Sequence, residues 1–270
     1  MTEWLEIHRG DAPLVVSFPH TGTELPTFVA ARLISPWLAR KDADWWIEKL
    51  YDFAPSLGAT TIRTSISRAV IDVNRDPSGA SLYPGQATTG LCPTSTFDGE
   101  PLYRTREPDA AEIAQRRADY FDPYHAALRA ELDRLRAIHG RVVLYEAHSI
   151  RSAIPRLFDG LLPDFNIGTN SGASCDPALT AAVEAACDAT AFSRVTNGRF
   201  KGGWTTRHYG RPTAGVHAIQ MELACRGYMD EPPGLLTSKI WPTPYVDERA
   251  APMRAALTRV LTACLDFAKS

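Results

Sequence analysis

The sequence predicts an α/β protein in which a mostly parallel or mixed β-sheet is flanked by helices, with long loops that form a pocket. Short apolar runs rich in β-branched residues alternate along the chain with stretches of helical periodicity. The 270 residues, of which 44% are hydrophobic and 22% charged, have an ordinary globular composition. We expect one domain over residues 1–270, although the length also permits two smaller ones.

Five apolar runs predict buried strands, because each is short and is bounded by turn-forming or polar residues. These runs cover residues 13–18, 60–64, 69–73, 142–145 and 218–223.

Helices are predicted from N-capping residues, from proline near the first helical position and from apolar spacing. The predicted helix starts are Ser35-Pro36, the capping box Asp109 to Glu112, Asp122-Pro123 and Asp176-Pro177, with helical spacing also at 45–53 and 250–268. Gly140 is expected to end the helix that begins at Asp122, because glycine readily adopts the left-handed conformation found after helix ends.

Three long segments are predicted to be ordered loops. Residues 76–108, 155–175 and 197–215 are rich in Pro, Gly, Ser and Thr and have no regular periodicity, yet they carry aromatic residues that disordered segments usually lack. We expect them to wall a pocket over one edge of the sheet.

Charge, hydropathy and cysteine usage argue against several classes of protein. The net charge is −2 and no basic run suggests nucleic-acid binding. No apolar run is long enough to span a bilayer, and the N-terminus lacks the pattern of a secretory signal, so no membrane partner is expected. Five cysteines without a C-x-x-C pair argue against a disulfide framework and a thiolate zinc site and favour a reducing cytoplasm.

Two histidines follow predicted strands in the same way. His20 comes after the 13–18 run, and His148 comes after the 142–145 run. Ligands of α/β proteins bind outside the carboxyl ends of strands, and imidazoles from neighbouring strand ends can converge on one divalent cation. Either histidine alone would be read as an ordinary strand-end residue, but the pair indicates a metal site.

A catalytic zinc usually has three protein ligands, and a carboxylate is the natural third. Three acids compete for this place: Glu24, four residues after His20, and Asp42 and Asp44 at a predicted helix start. Helix N-capping is the alternative role for the two aspartates.

The segment 67–77 carries a candidate substrate clamp. Alternation along the predicted 69–73 strand places Arg68, Asp72 and Asn74 on one face, with Arg75 at its end. The guanidinium of Arg75 beside the amide of Asn74 suits binding of a substrate carboxylate. The alternative is a surface salt bridge between these arginines and the neighbouring aspartates.

Glu222 is the candidate general base, because it lies in the largely apolar 218–223 run and shares a face with Gln220. A buried glutamate must be paired, protonated or functional, and a glutamate near a metal-bound water can take its proton. An ion pair with a loop arginine is the alternative.

The segment 197–210 combines four glycines with Arg199, Lys201, Arg207 and His208. It lacks the phosphate-binding patterns G-x-x-x-x-G-K-[ST] and G-x-G-x-x-G. We interpret it as a mobile cationic lid that closes on a carboxylate substrate, with a solvated hairpin as the alternative.

Taken together, these segments resemble the N-formylglutamate amidohydrolase family of histidine degradation. The matching stretches are SFPHTG, DADWWIEKLYDF, SRAVIDVNRDP, ATTGLCPTSTFDGEPLYR, DPYHAALRAELDRL, EAHSIRS, LPDFNIGTNSGASCDPAL, NGRFKGGWTTRHYG and HAIQMELACRGYM. The resemblance implies a single amidohydrolase domain with the fold of zinc carboxypeptidases and aspartoacylases. It also implies zinc-dependent hydrolysis of N-formyl-L-glutamate, a small dicarboxylate, to formate and glutamate.

The resemblance also assigns roles to residues of this chain. It implies that His20 and His148 bind zinc, that Glu222 activates water and that Asn74-Arg75 holds a substrate carboxylate. Arg75 and the cations of the 199–208 segment are expected to neutralise the two glutamate carboxylates, with help from His125 and Arg151.

The acidic ligand departs from the H-x-x-E pattern of carboxypeptidases, because position 23 is threonine. The resemblance favours Asp44 as the third ligand, because family members keep an acid at that point, while Asp42 and Glu24 remain open.

Three other functions compete with this one. A hydrolase of other small N-acyl amino acids would use the same carboxylate clamp. A non-catalytic carboxylate-binding protein would keep Arg75 and the cationic segment but would need no zinc. A metal-dependent ureohydrolase is disfavoured, because the chain lacks the D-x-D-x-H-x-D motif of such enzymes.

Overall fold

The computed structural model describes residues 4–81, 85 and 88–270, and its centre is a seven-stranded mixed sheet flanked by helices. Residues 82–84, 86 and 87, which belong to the predicted loop of 76–108, lie outside the described residues. The strands are β1 (Leu5–His8), β2 (Leu14–Phe18), β3 (Thr60–Thr64), β4 (Val142–Ile150), β5 (Phe165–Gly168), β6 (Arg194–Thr196) and β7 (Val216–Ala224). The predicted mixed sheet flanked by helices is confirmed.

The described part of the chain contains eight α-helices, of which three are longer than ten residues. They are α1 (Thr27–Ala30), α2 (Pro36–Arg40), α3 (Ile47–Leu50), α4 (Ala110–Arg116), α5 (Asp122–His139), α6 (Pro177–Asp188), α7 (Trp204–Tyr209) and α8 (Asp247–Lys269).

The predicted helix boundaries follow from local capping. The side chains of Ser35, Asp109 and Asp176 each accept a hydrogen bond from a backbone N–H in the first turn of the following helix. Gly140 ends α5 in the left-handed conformation, as predicted. Helix α5 begins at Asp122 as predicted, and a π-helical turn, Arg117–Phe121, joins it to α4.

The strand order is β1-β3-β2-β4-β7-β5-β6. Strands β3, β2, β4 and β7 are parallel to one another, whereas β1 pairs antiparallel with β3 and β5 pairs antiparallel with β7. The carboxyl ends of β2, β4 and β7 therefore meet at one edge of the sheet.

Four of the five predicted strands are present, as β2, β3, β4 and β7, whereas the strand predicted at 69–73 is wrong. This segment is a chain of turns, in which the N–H of Val70 bonds to the carbonyl of Ser67 and that of Arg75 to the carbonyl of Asp72. Its apolar residues are buried all the same. A short apolar run indicates that a segment is buried, but a buried segment need not be a strand.

The sheet is covered on both faces by apolar packing. Along β2, Leu14, Val16 and Phe18 face the core shared with α6 and α8, while Val15 faces the core shared with α5. Alternate residues point to opposite faces of a strand, so a fully buried run such as β2 requires this two-sided cover.

Three strands were not predicted: β1, β5 and β6 are short, and β5 lies in a segment predicted to be a loop. The segment 197–215 likewise contains α7. All five cysteines, each in the described part of the chain, are free and buried. Among the described helices, none combines the length and the apolar character that a membrane crossing requires.

Candidate active site

The carboxyl edge of the sheet brings together the residues predicted from strand ends. His20 lies two residues beyond β2, whereas His148 and Glu222 lie inside β4 and β7 as register partners. Strand β4 continues to Ile150, so His148 does not follow the strand as predicted but is held within it.

Two histidines and an aspartate form a buried group of potential metal ligands. The ligand atoms of His20, Asp44 and His148 lie within 4.8 Å of one another, and none of the three residues is more than 3% exposed. Asp44 Oδ2 is 3.0 Å from His148 Nδ1 and 3.7 Å from His20 Nδ1.

Unpaired polar atoms in this group fit a cation. His20 Nδ1 and Asp44 Oδ1 are buried and have no hydrogen-bond partner among the described residues. His20 Nε2 is 2.6 Å from Asp72 Oδ1, and because an ionised carboxylate only accepts, Nε2 carries the proton and Nδ1 presents its lone pair toward Asp44. Two imidazole nitrogens and one carboxylate are a donor set that suits zinc.

The electrostatics of the group also favour a positive charge. Burial alone would lower the pKa of His148, but the carboxylates of Asp44 and Glu146 raise it to about 10. Burial would raise the pKa of Asp44, but hydrogen bonds from His148 and His20 hold it below its usual range. Without a cation, the protonated imidazole of His148 compensates the negative charge of these carboxylates. A divalent cation would take over this role.

Among the three acids considered as the third ligand, Asp44 alone lies in this group. The carboxylate of Asp42 accepts from the N–H of Phe97 at 2.6 Å and faces Arg151 at 3.3 Å. Glu24 is exposed to solvent. The N-capping alternative does not describe Asp44, because α3 begins after Trp46 and has no side-chain cap.

Asp72 links the histidines to the predicted clamp. Its buried carboxylate accepts from His20, from Arg68 NH2 at 2.8 Å and from the N–H of Asn74 at 2.9 Å. Burial alone would raise the pKa of the Asp72 carboxyl, but the charges of the neighbouring arginines and of His20 hold it well below its usual range. The predicted Arg68–Asp72 salt bridge therefore exists, but it is buried rather than on the surface.

Asn74 and Arg75 are held by separate contacts. Asn74 Oδ1 accepts from the N–H of Thr205 at 2.9 Å, and Arg75 donates to the carbonyl and hydroxyl of Thr89, both at 3.1 Å. A Cβ on Gly203 would lie 2.4 Å from Asn74 Nδ2, so only glycine lets the backbone before α7 approach this amide.

Glu222 faces the same pocket. Its Oε2 accepts a hydrogen bond from Gln220 Nε2 at 3.3 Å. The side-chain oxygen of Gln220, Oε1, accepts a hydrogen bond from the N–H of Gly203 at 2.7 Å. Burial raises the pKa of Glu222 to about 7, with the charge of His148 opposing the shift. The carboxyl group can therefore accept and return a proton near neutral pH.

These residues line one pocket of about 610 Å³ that opens to solvent. His20, His148 and Glu222 form its floor on the sheet, and Arg68, Arg75 and Arg199 supply cationic groups. Its apolar lining is Phe97, Ile150, Leu157 and Phe200. This cavity combines potential metal ligands, a carboxyl group and arginines. Such a combination suits the hydrolysis of a small anionic substrate.

Comparison with known proteins identifies the family. The family model of N-formylglutamate amidohydrolase matches residues 12–229. The chain is 53% identical over 233 residues to the N-formylglutamate deformylase of Pseudomonas aeruginosa strain PAO1, covering 86% of this chain and 87% of that protein. It is 46% identical to the N-formylglutamate deformylase of Pseudomonas putida, covering 98% and 97% of the two chains.

This chain belongs to the N-formylglutamate amidohydrolase family. Its fold is also that of the solved N-formylglutamate amidohydrolase from Ralstonia eutropha JMP134, with a TM-score of 0.79 at 24% identity over 96% of this chain and 97% of the other.

The residues predicted to hold substrate divide into two groups in this family member. Asn74, Arg75 and Arg199 line the pocket. The structure places Arg151, Lys201, Arg207 and His208 outside that lining.

The four residues outside the lining are engaged elsewhere or exposed. Arg151 donates to Asp98 at 2.8 Å, and Arg207 Nε donates to the carbonyl of Gly202. His208 stacks on Trp204 at 4.2 Å, and Lys201 is exposed.

Sequence reasoning missed two buried carboxylates of the site. Asp72 was considered only as a salt-bridge partner, and Glu146, two residues before His148, received no role. The alternation that places Glu146 and His148 on one face of β4 was the available signal.

Proposed function

We propose that this chain hydrolyses N-formyl-L-glutamate to formate and L-glutamate, using a zinc ion held by His20, Asp44 and His148. We further propose that it acts as a single amidohydrolase domain over residues 1–270 and that it works in the cytoplasm, for which the five free cysteines are the support. Membership of the N-formylglutamate amidohydrolase family supports the reaction.

The observation that carries the proposal is the buried His20, Asp44 and His148 group beside Glu222, in a pocket with arginines on its walls. Three protein ligands leave a coordination position open, as catalytic zinc sites do. When bound, such a cation would act as a Lewis acid toward the formyl carbonyl and toward water.

Glu222 is the proposed general base and acid. A water oxygen forms a bond to the formyl carbon as the Glu222 carboxylate takes one of its protons, and the C–N bond then breaks. Glu222 returns that proton to the leaving nitrogen, so formate and glutamate leave and the carboxylate is restored. Its position beside His148 in the paired strands keeps the carboxyl group at the same edge as the ligands.

The arginines are the proposed clamp for the two carboxylates of the substrate. Arg75 is anchored to Thr89 and lies 3.6 Å from Asp72, so its guanidinium is held in one orientation at the pocket wall. Arg199, whose Nε donates to the carbonyl of Leu157, lines the same cavity. Two fixed cations select a dicarboxylate over a neutral amide.

The proposal is tested by measuring product release and metal content on one sample. N-formyl-L-glutamate, N-formyl-L-aspartate and N-acetyl-L-glutamate are compared, and we expect the first to have the highest kcat/KM. EDTA should abolish formate release, and Zn²⁺ should restore it. Tight binding of these ligands to zinc-loaded protein without any turnover would instead support a carboxylate-binding protein.

A further inference from the structure

Glu146 is a fully buried carboxyl group behind His148, outside the pocket lining, that the proposed mechanism does not use. Its exposure is 0%, and neither carboxyl oxygen has a hydrogen-bond partner among the described residues. Oε2 lies 3.7 Å from His148 Nε2, the ring nitrogen that faces away from Asp44. A buried carboxylate without donors destabilises a fold, so its presence calls for a role.

The other neighbour of His148 Nε2 is an amide whose orientation is fixed. The N–H of Thr205 donates to Asn74 Oδ1, so the amide turns its NH₂ group toward the ring, with Nδ2 3.0 Å from Nε2. An NH₂ group donates and cannot accept. The contact is therefore favourable only while Nε2 carries no proton.

A cation bound to His148 Nδ1 reverses this requirement. Neutral imidazole that uses Nδ1 as a ligand atom carries its proton on Nε2, and metal-binding histidines usually donate that proton to a carboxylate or carbonyl group. Asn74 presents a second donor there. The carboxylate of Glu146 is the acceptor on the same strand and on the same side of the ring.

We propose that Glu146 is a positioning residue whose carboxylate accepts a hydrogen bond from the Nε2–H of His148 when the cation is bound. This inference rests on the metal site proposed above. By fixing the proton on Nε2, Glu146 holds the lone pair of Nδ1 toward the cation. It also draws the Nε2–H away from the NH₂ group of Asn74, so that this donor is available to a substrate carboxylate.

A purely structural role for Glu146 predicts the opposite pattern of effects. Replacing a structural carboxyl group would lower the unfolding temperature and leave the zinc affinity unchanged. Under our proposal Glu146→Leu leaves the unfolding temperature of the metal-free protein unchanged or raises it, because an unsatisfied buried carboxylate is removed. The same change weakens zinc binding by about 10- to 100-fold.

The experiment measures zinc affinity by competition with a chelator, together with thermal unfolding of the metal-free protein. Glu146→Gln keeps a neutral acceptor oxygen, so its zinc affinity should lie between those of Glu146→Leu and the wild type. The matched control is Glu131→Gln, since Glu131 is equally buried but pairs with Arg9 and Arg134 at 2.6 and 2.8 Å. This control should lose stability and keep its zinc affinity.

A spectroscopic reading separates the proton acceptor from any other effect. In zinc-loaded protein with ¹⁵N-labelled histidine, we expect His148 to show a proton on Nε2 with a downfield shift that Glu146→Leu loses. Zinc affinity within twofold of the wild type in folded Glu146→Leu, or a proton on Nδ1, would overturn the inference alone. A wild type that binds no zinc would overturn the metal site as well.

Discussion

The floor and the wall of the pocket are built in different ways. On the floor, His148 and Glu222 are register partners in adjacent parallel strands, and His20 follows the strand next to them. On the wall, Arg75 and Arg199 lie in irregular segments and are oriented by their own side-chain contacts, among them hydrogen bonds to Thr89 and to the carbonyl of Leu157. Sheet register fixes the first group, whereas each side chain of the second depends on its own contacts.

This difference suggests a division of labour. Chemistry at the formyl carbon requires atoms placed with little tolerance, which paired strands provide. Recognition of carboxylates tolerates more variation, because loop residues can adjust to the ligand. Changes on the floor should therefore lower kcat, and changes on the wall should mainly raise KM.

The largest effect among single changes that keep the metal is expected for Glu222→Gln. The amide cannot take a proton from water, so kcat should fall by about 10²- to 10⁴-fold while the zinc content stays at the wild-type level. Steady-state kinetics and metal analysis on the same sample test this. Near-normal kcat would reject the assignment of Glu222 as the general base. It would also contradict the expectation that changes on the floor lower kcat.

On the wall, Arg75→Met should reduce kcat/KM by about 10²-fold, mainly through KM, because a charged hydrogen bond to a substrate carboxylate is lost. Arg75→Lys should recover little of this, since an ammonium group cannot reproduce the fork that bonds Thr89. A fall in kcat with an unchanged KM would contradict the proposed division.

The wall segment that carries Asn74 also depends on His125 of α5, whose Nε2 lies 2.8 Å from the carbonyl oxygen of Val73. Burial lowers the pKa of His125 from 6.5 to about 3. Between pH 6.5 and pH 3, His125 is therefore protonated in the unfolded chain and neutral in the folded protein. The free energy of unfolding falls as the pH decreases through this range.

By pH 5 this loss should amount to about 2 kcal/mol in the wild type. Urea unfolding at pH 7 and pH 5 measures it. His125→Gln, which keeps a donor but does not titrate, should lose less stability over the same interval. Equal losses in the two proteins would show that His125 is not the responsible group.

The smallest expected effect separates two arginines of the segment 197–210. Arg199→Met should lower kcat/KM by about 10-fold, because its guanidinium lines the pocket. Arg207→Met, outside the lining, should stay within about twofold of the wild type. Equal losses would mean that the whole segment closes on the substrate as the predicted cationic lid.

The same contrast explains what the sequence could predict of the fold. The central strands β2, β4 and β7 are long apolar runs buried on both faces, and such runs can be recognised without a structure. The edge strand β6 has only three residues, all half-buried, and its pairing depends on a distant partner. The search for apolar runs also predicts a strand at residues 69–73, where the structure has buried turns.

The candidate site divides in a similar way. His20, His148 and Glu222 could be selected because each follows or occupies an apolar run. The third metal ligand could not be chosen from local sequence alone, because the contacts that distinguish the two aspartates are long-range. Asp42 contacts Arg151, which is 109 residues away in sequence, whereas Asp44 contacts His148. For Glu146 the available signal is the alternation that places it on the same face of β4 as His148.

The pair Asp44→Asn and Asp42→Asn tests the central claim most directly, because the two aspartates are two residues apart and both are nearly buried. Zinc stoichiometry after dialysis and release of formate from N-formyl-L-glutamate are measured for both variants. We predict that Asp44→Asn loses zinc and at least about 10³-fold in activity, whereas Asp42→Asn keeps a full equivalent of zinc. Full zinc occupancy and normal turnover in Asp44→Asn would contradict the proposed metal site.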